Sequence, residues 1–479
     1  MAPRWLDRRD RPAPVYLHIG GPSTGTTYLQ RVMAANRDVL TRAGFLLPGR
    51  SWRDVVLATH DALSLARTSA AHETDLTRAA GGRWDRLAEE MTGHRGKASV
   101  LSMEFLCWAK PEAAARIVAS LGGTEGREVH VVLTVRDTAS VLRSQWQTNC
   151  RNGSDVPLRR LIWGLRQIVE KDDVPASRPE RMIDRAMGIP RMIDTWVPLV
   201  GADRFHVVTV PYRSDDPDLL WKRFAGVVGI DASRCRERSV ESNASLGLPS
   251  SELMRLLNIE LGPVARSEYL RTMKALLARD ILGERADQER KVTLNREGRN
   301  VSARWNKRVR EAIRTSGVHL VGDLEDLPVQ KADRAVPSEL AAPTDEELLL
   351  AAAWARDGLA LAIRELADKA AALRDRPADD DGSWSADSSG EVGSGEPEDP
   401  PHQDPDGNPH EDPPEDAGDD PDDARLALRA KLDRQLSERT PEVGMALTEI
   451  ASLVRQAMPL GAEIASLRSR PARPRRASG

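Results

Sequence analysis

Between Gly20 and Thr27 the chain reads Gly-Gly-Pro-Ser-Thr-Gly-Thr-Thr, directly after the apolar run Val15–Ile19 and before a helical pattern opening near Tyr28. Glycines let a backbone turn tightly, so that successive N–H groups converge on one point. The helix that follows presents its positive N-terminal end to the same point. Thr26 and Thr27 add hydroxyl donors. These residue types in this order form a cradle for a phosphate group. The loop of ATP-hydrolysing enzymes would place lysine after the last glycine, and here Gly25 is followed by Thr26. An ordinary nucleoside triphosphatase is therefore disfavoured.

A second constellation follows the run VHVVLTV at Val129–Val135. There Arg136 stands at the end of a strand and Ser144 eight residues further on. An arginine so placed can fork onto phosphate oxygens. A serine two helical turns along reaches the same group only if its helix bends back over it. The plainer alternative is a local salt bridge for Arg136 and a solvated Ser144. His18, at the end of the first strand, reads as a buried, hydrogen-bonded residue rather than a catalytic one. Arg151, Arg159 and Arg160 fit a solvated face better than the lining of a channel.

The segment Pro22–Tyr28 resembles the PKSGTTW or PKTGTTY loop of the PAPS-dependent sulfotransferases, and Arg136 and Ser144 have the spacing of that family's 3′-phosphate pair. Weaker likenesses are FHVVTVPY with Pro217–Asp231, the stretch Asn243–Leu246, and Gly317–Leu327. The resemblance spans about residues 14–328. It implies that Gly21, Ser23, Thr24, Gly25, Thr26 and Thr27 hold the 5′-phosphosulfate of PAPS, and that Arg136 and Ser144 hold its 3′-phosphate. Tyr28 stacks on the adenine or belongs to the core. The implied activity is sulfuryl transfer from PAPS as co-substrate, without a metal, to a hydroxyl or amine of a small molecule, lipid or glycan.

The family's loop lysine is Ser23 in this chain. That lysine stabilises the charge that develops as sulfate leaves, and losing such a donor costs on the order of 10²–10³ in rate. Three readings follow. Another cation (Lys110, Arg42 or Arg143) takes its place, the enzyme is slow, or the domain binds PAP-like ligands without transfer and recruits partners through its C-terminal segment. Transfer also needs a base. In the family this is a histidine or glutamate near the end of the strand before the 3′-phosphate strand, a place that reads Val100–Phe105 here. Glu104 is the candidate, with capping or ion pairing as its alternative, and His60 is the second candidate. A P-loop kinase would require a carboxylate placed for Mg²⁺, and none is evident.

The elements that must position these residues follow from pattern. Val15–Ile19, Ser99–Ser102, Val129–Val135 and Phe205–Val210 are near-continuous apolar runs, each followed by a polar turn and a helical period such as Tyr28–Ala43 or Pro217–Val228. Such strands belong to a parallel sheet covered on both faces. The expected fold is α/β, a P-loop-type three-layer arrangement with a central parallel sheet flanked by helices. It spans residues 14–328 and is followed by a helical extension over 329–376, opened by the capping box Thr344–Glu347. Pro377–Ala424 holds 18 Asp and Glu and no Lys or Arg, so the rest of the chain carries a formal +14 against −4 for the whole. That composition predicts a disordered acidic linker. Residues 425–479 form a C-terminal helical segment, interrupted at Pro441 and Pro459, and a basic tail. This module could dock on the domain, on a partner or on the linker. The tail lacks the interleaved aromatics of a nucleic-acid binder.

Cys107, Cys150 and Cys235 are widely spaced and odd in number, which indicates neither a disulfide framework nor a zinc site. No run approaches the roughly 18 apolar residues of a membrane span. The N-terminus has charges without an apolar stretch behind them, unlike a secretory signal. A cytoplasmic location is expected.

Overall fold

The computed structural model describes residues 12–63, 82–171, 175–237, 245–374, 421–437 and 439–468. Nearly all of the acidic segment, Asn243–Ala244 of the fourth likeness and the basic tail beyond Arg468 lie outside them. Six strands, β1 Val15–His18, β2 Phe45–Leu46, β3 Ala98–Ser102, β4 Val129–Val135, β5 Phe205–Thr209 and β6 His319–Val321, form one sheet in the order β2-β3-β1-β4-β5-β6. Every pairing is parallel. The fold is α/β, as its strand patterns require. β2 and β6 have two and three residues, too short to leave a period in the sequence.

Alternation along each strand sorts side chains into two cores. Val129, Val131, Leu133 and Val135 of β4 join a large core shared with most of the helices. Val132 joins a smaller one beneath the helices Thr26–Ala35, Arg37–Arg42 and Leu219–Val228. The helix expected over Tyr28–Ala43 divides at Asn36. The Asn36 amide donates to Val32 O at 2.8 Å and Glu237 O at 3.0 Å, the competition with the helical backbone for which asparagine is known.

The C-terminal helices dock on the domain. Thr344 caps Asp345–Arg374 through a reciprocal pair: Glu347 N–H donates to Thr344 Oγ1 at 3.2 Å, and Thr344 N–H to Glu347 Oε2 at 2.8 Å. Leu348, Ala352 and Leu359 of that helix, with Val443, Leu447, Ile450 and Val454 of Pro441–Arg468, are buried in the large core. Pro441 opens the last helix at its first turn, where a missing N–H costs nothing. The helix continues through Pro459 instead of breaking there. Between them Pro421–Leu436 brings Lys431 onto Asp155, which also pairs with Arg178 at 3.1 Å. Burial alone would raise the Asp155 carboxyl; Lys431 and then Arg178 hold it below its ordinary range. Among the described residues no helix is long and apolar enough to cross a membrane.

Candidate functional site

The two loops singled out by sequence leave adjacent strands. The connection after β1 runs towards β2 and that after β4 towards β5, in opposite directions. The crevice between their carboxyl ends is thus the switch point where parallel sheets take ligands. Gly25, with φ 86°, is the N-cap of Thr26–Ala35 and supplies no side-chain cap. The N–H groups of Thr26, Thr27 and Tyr28 therefore have no partner within the helix and stand at its positive end. Ser23 has φ 63° and is the only non-glycine at positive φ among the described residues. Left-handed backbone at such a residue costs about 1–2 kcal/mol, so the surroundings must hold it.

One of those holds is Arg136. Its Nη1 donates to Ser23 O at 3.2 Å, which brings the two sequence elements into contact. Burial, and after it the neighbouring Arg143, lower the Arg136 pKa, while Asp137 acts the other way. Asp137 is engaged elsewhere. It caps the helix Thr138–Arg151 by accepting from the N–H groups of Ala139 and Ser140, and it also accepts from Ser140 Oγ and Asn306 Nδ2. Arg143 donates to Ala139 O and Ser140 Oγ. Neither arginine forms an ion pair among the described residues. Two adjacent cations, one largely desolvated and neither in an ion pair among the described residues, can attract an anion. Ser144 lies on the same helix, half-buried, with no hydrogen bond to its hydroxyl among the described residues.

Of the three substitutes considered for the missing lysine, the structure brings only Arg143 to this group. Lys110 and Arg42 are exposed, at the start of Pro111–Ser120 and the end of Arg37–Arg42. Arg159 and Arg160 are exposed as well, and Arg160 lies over the Trp163 ring. Arg151, in the last turn of its helix, donates to Thr148 Oγ1 at 3.4 Å. Tyr28 packs its ring against the smaller core and donates its hydroxyl to Asp218 Oδ1 at 3.0 Å.

Glu104 opens the turn Glu104–Trp108 directly after β3 and is 3% exposed. Its Oε2 accepts from Gln30 Nε2 at 3.1 Å, and the same amide donates to Ser102 O at 3.2 Å. The Gln30 carbonyl oxygen is buried with no partner among the described residues. His60, on Trp52–Leu63, meets the neighbouring Phe105 ring edge-on at 5.8 Å. The carboxylate and the phosphate loop thus share one helix, because Gln30 is on the helix that the loop opens. Gln30 carries no motif and sequence reasoning missed it.

His18 is buried and hydrogen-bonded, as its place at the end of the first strand implied; what sequence reasoning missed is its partners and their path to the loop. His18 is fully buried, its Nδ1 2.7 Å from Ser102 Oγ and its Nε2 3.2 Å from Thr134 Oγ1. Thr134 Oγ1 is 2.6 Å from Thr24 Oγ1, which donates to Gly21 O at 2.5 Å. A Cβ on Gly20 would lie 2.6 Å from Thr26 Oγ1 and 2.8 Å from both His18 Nε2 and Thr134 Oγ1. Only glycine fits there. Polar residues at the ends of apolar strands (His18, Ser102, Thr134) were the available signal.

Among the described residues no group of three or more His, Cys, Asp or Glu side chains is placed to hold a metal ion. No family model, no curated protein and no solved structure matches this chain.

Proposed function

We propose that the protein is a sulfotransferase that binds PAPS in the crevice after β1 and β4 and transfers its sulfuryl group to a hydroxyl or amine acceptor. The observation that carries this reading is the contact of Arg136 with the Ser23 carbonyl, which joins the Gly20–Thr27 loop to two arginines that form no ion pair among the described residues. The cradle, Gly21 and Ser23–Thr27, would take the 5′-phosphosulfate, and Arg136 with Ser144 the 3′-phosphate. Tyr28, turned to the core and to Asp218, serves the fold more than an adenine. Glu104, held by Gln30, would accept the acceptor's proton. His60, in contact with the ring of Phe105 next to Glu104, is the second candidate base. The acceptor is a small molecule, lipid or glycan, and a cytoplasmic setting supplies PAPS.

A second reading is favoured by Ser23: the domain binds PAP or another anionic ligand and transfers slowly or not at all. No lysine stands at the loop, and Arg143 is spent on its own helix. Calorimetry with PAP and turnover of labelled PAPS with mixed acceptors separate the two. Binding with turnover supports transfer, binding alone supports the second reading, and neither overturns both.

A further inference from the structure

The hydrogen bonds beneath the phosphate loop can be satisfied in only one direction. Gly21 O is a carbonyl and can only accept, so the Thr24 hydroxyl proton is committed to it. Thr24 Oγ1 must then accept from Thr134, and the Thr134 hydroxyl proton is committed in turn. Thr134 Oγ1 is left to accept, so His18 Nε2 carries a proton and donates. His18 is buried and in hydroxyl contact on both sides, with no carboxylate against it among the described residues, so the imidazole is neutral and Nδ1 is bare. The bare Nδ1 accepts from the Ser102 hydroxyl. The line continues on the other side of Ser102. Its backbone carbonyl accepts from Gln30, whose second amide hydrogen reaches Glu104.

We infer that His18 is a positioning residue, locked as the Nε2–H tautomer, whose one-way relay through Thr134 and Thr24 fixes the Gly21 carbonyl and so the phosphate loop. The relay ties the carboxyl ends of β3, β1 and β4 into one frame. At one end of that frame is the cradle and at the other Glu104. It also accounts for the strained Ser23: the Gly21 carbonyl is held from below while Arg136 holds the Ser23 carbonyl from the side. Position 20 is glycine where the His18, Thr134 and Thr26 polar atoms already crowd the place a Cβ would take. Its role for ligand affinity rests on the proposed phosphate binding; its role in holding the loop does not.

The test therefore has two arms. In the free full-length protein, long-range ¹H–¹⁵N spectra of labelled histidines should show His18 neutral and protonated on Nε2, and Thr134→Val should perturb that signal. Hydrogen exchange of the peptide covering Gly20–Tyr28 should quicken about tenfold in His18→Leu and Thr134→Val, as for one lost buried hydrogen bond. His18→Gln, which restores an N–H near Nε2, should recover most of the protection, and His18→Leu with Thr134→Val should be no worse than either alone. An Nδ1–H or doubly protonated His18, or loop exchange unchanged in Thr134→Val, overturns the relay. The Thr134→Val variant keeps side-chain shape, so the test survives if His18→Leu fails to fold. In the second arm PAP affinity should fall about tenfold in the same variants and recover with His18→Gln. A wild-type protein that does not bind PAP sinks the phosphate reading, and the first arm alone then decides the relay.

Discussion

The same face of the sheet carries histidines at both ends, and the two ends behave differently. At the carboxyl end His18 sits among hydroxyls, with Phe224 at 5.1 Å, and its burial lowers its pKa from 6.5 to about 3. At the amino end Tyr16, His130, His206 and His319 form a ladder across β1, β4, β5 and β6. Tyr16 stacks on His130 at 4.6 Å, His130 Nδ1 is 2.9 Å from His206 Nε2, and His206 Nδ1 is 2.8 Å from His319 Nδ1. That ladder runs out to an exposed His319 at the edge strand. Residue type alone does not distinguish the two sets. What distinguishes them is where the hydrogen bonds lead: to a strained loop at one end, to solvent at the other. A parallel sheet concentrates its ligand chemistry at the carboxyl end because only there do successive loops and helix N-termini converge.

The strongest break of that contrast is Gly20→Ala. Its Cβ would press on three polar atoms, two belonging to His18 and Thr134, inside a network with no room to yield. We expect a loss of roughly 3 kcal/mol or more, in the range of overpacked sites that also lose hydrogen bonds. Urea unfolding measures it, and PAP binding should vanish with it. A wild-type midpoint would mean that the network is slack.

Ser23→Lys sharpens the contrast without touching either histidine set. Position 23 already accepts a Cβ in left-handed backbone, so lysine adds charge without new backbone strain. If transfer is limited by the missing cation, the rate of PAPS turnover should rise on the order of 10²-fold with PAP affinity little changed. An unchanged, already brisk rate would assign the charge to Arg143 or Arg136.

Much of this was legible beforehand, for physical reasons that also mark the boundary. A buried parallel strand must be apolar on both faces, so β1, β3, β4 and β5 announced themselves in sequence. A tight turn between a strand and a helix needs glycine, so the turn at Gly20–Gly25 did too. Gln30 did not, because a glutamine on a helix looks the same whether it holds a carboxylate or faces water. Asn36, which divides a helix, and Lys431, which reaches Asp155 across the acidic segment, depend on partners 201 and 276 residues away. No local pattern records such distances. The basic C-terminal module could not be placed either, since its apolar stripe says that it must pack and not upon what.

Acid should expose both histidine sets with a definite sign. The pKa values of His18, His130 and His206 are all lowered by burial. For His206 the neighbouring His130 and then His319 add to the effect, bringing it to about 4. Between pH 6.5 and those values the unfolded chain binds protons that the folded chain refuses. Stability is therefore full above pH 6.5 and falls as the pH drops, by at most about 1.4 kcal/mol per pH unit for each group. The slope is smaller for His130, which is only partly buried and lies beside Glu128. Urea midpoints between pH 7 and pH 4.5 measure it. His206→Phe should flatten part of the slope while leaving loop exchange at Gly20–Tyr28 unchanged, whereas Thr134→Val should do the reverse.

The smallest effect expected is that of His319→Ala, and it is the most discriminating. The residue is exposed, and removing it deletes one imidazole contact to His206 Nδ1 and one of the neighbours that lower the His206 pKa. Global stability should move by no more than about 0.5 kcal/mol, as for most surface changes. The His206 pKa should rise, because one of the groups that lowers it is gone. PAP affinity should not move, since among the described residues no hydrogen bond leads from the ladder to the loop. A histidine titration by NMR reads the first result and calorimetry the second. If His319→Ala weakens PAP binding as much as Thr134→Val does, the two ends of the sheet are coupled through the strands themselves, and the separation drawn between them is wrong.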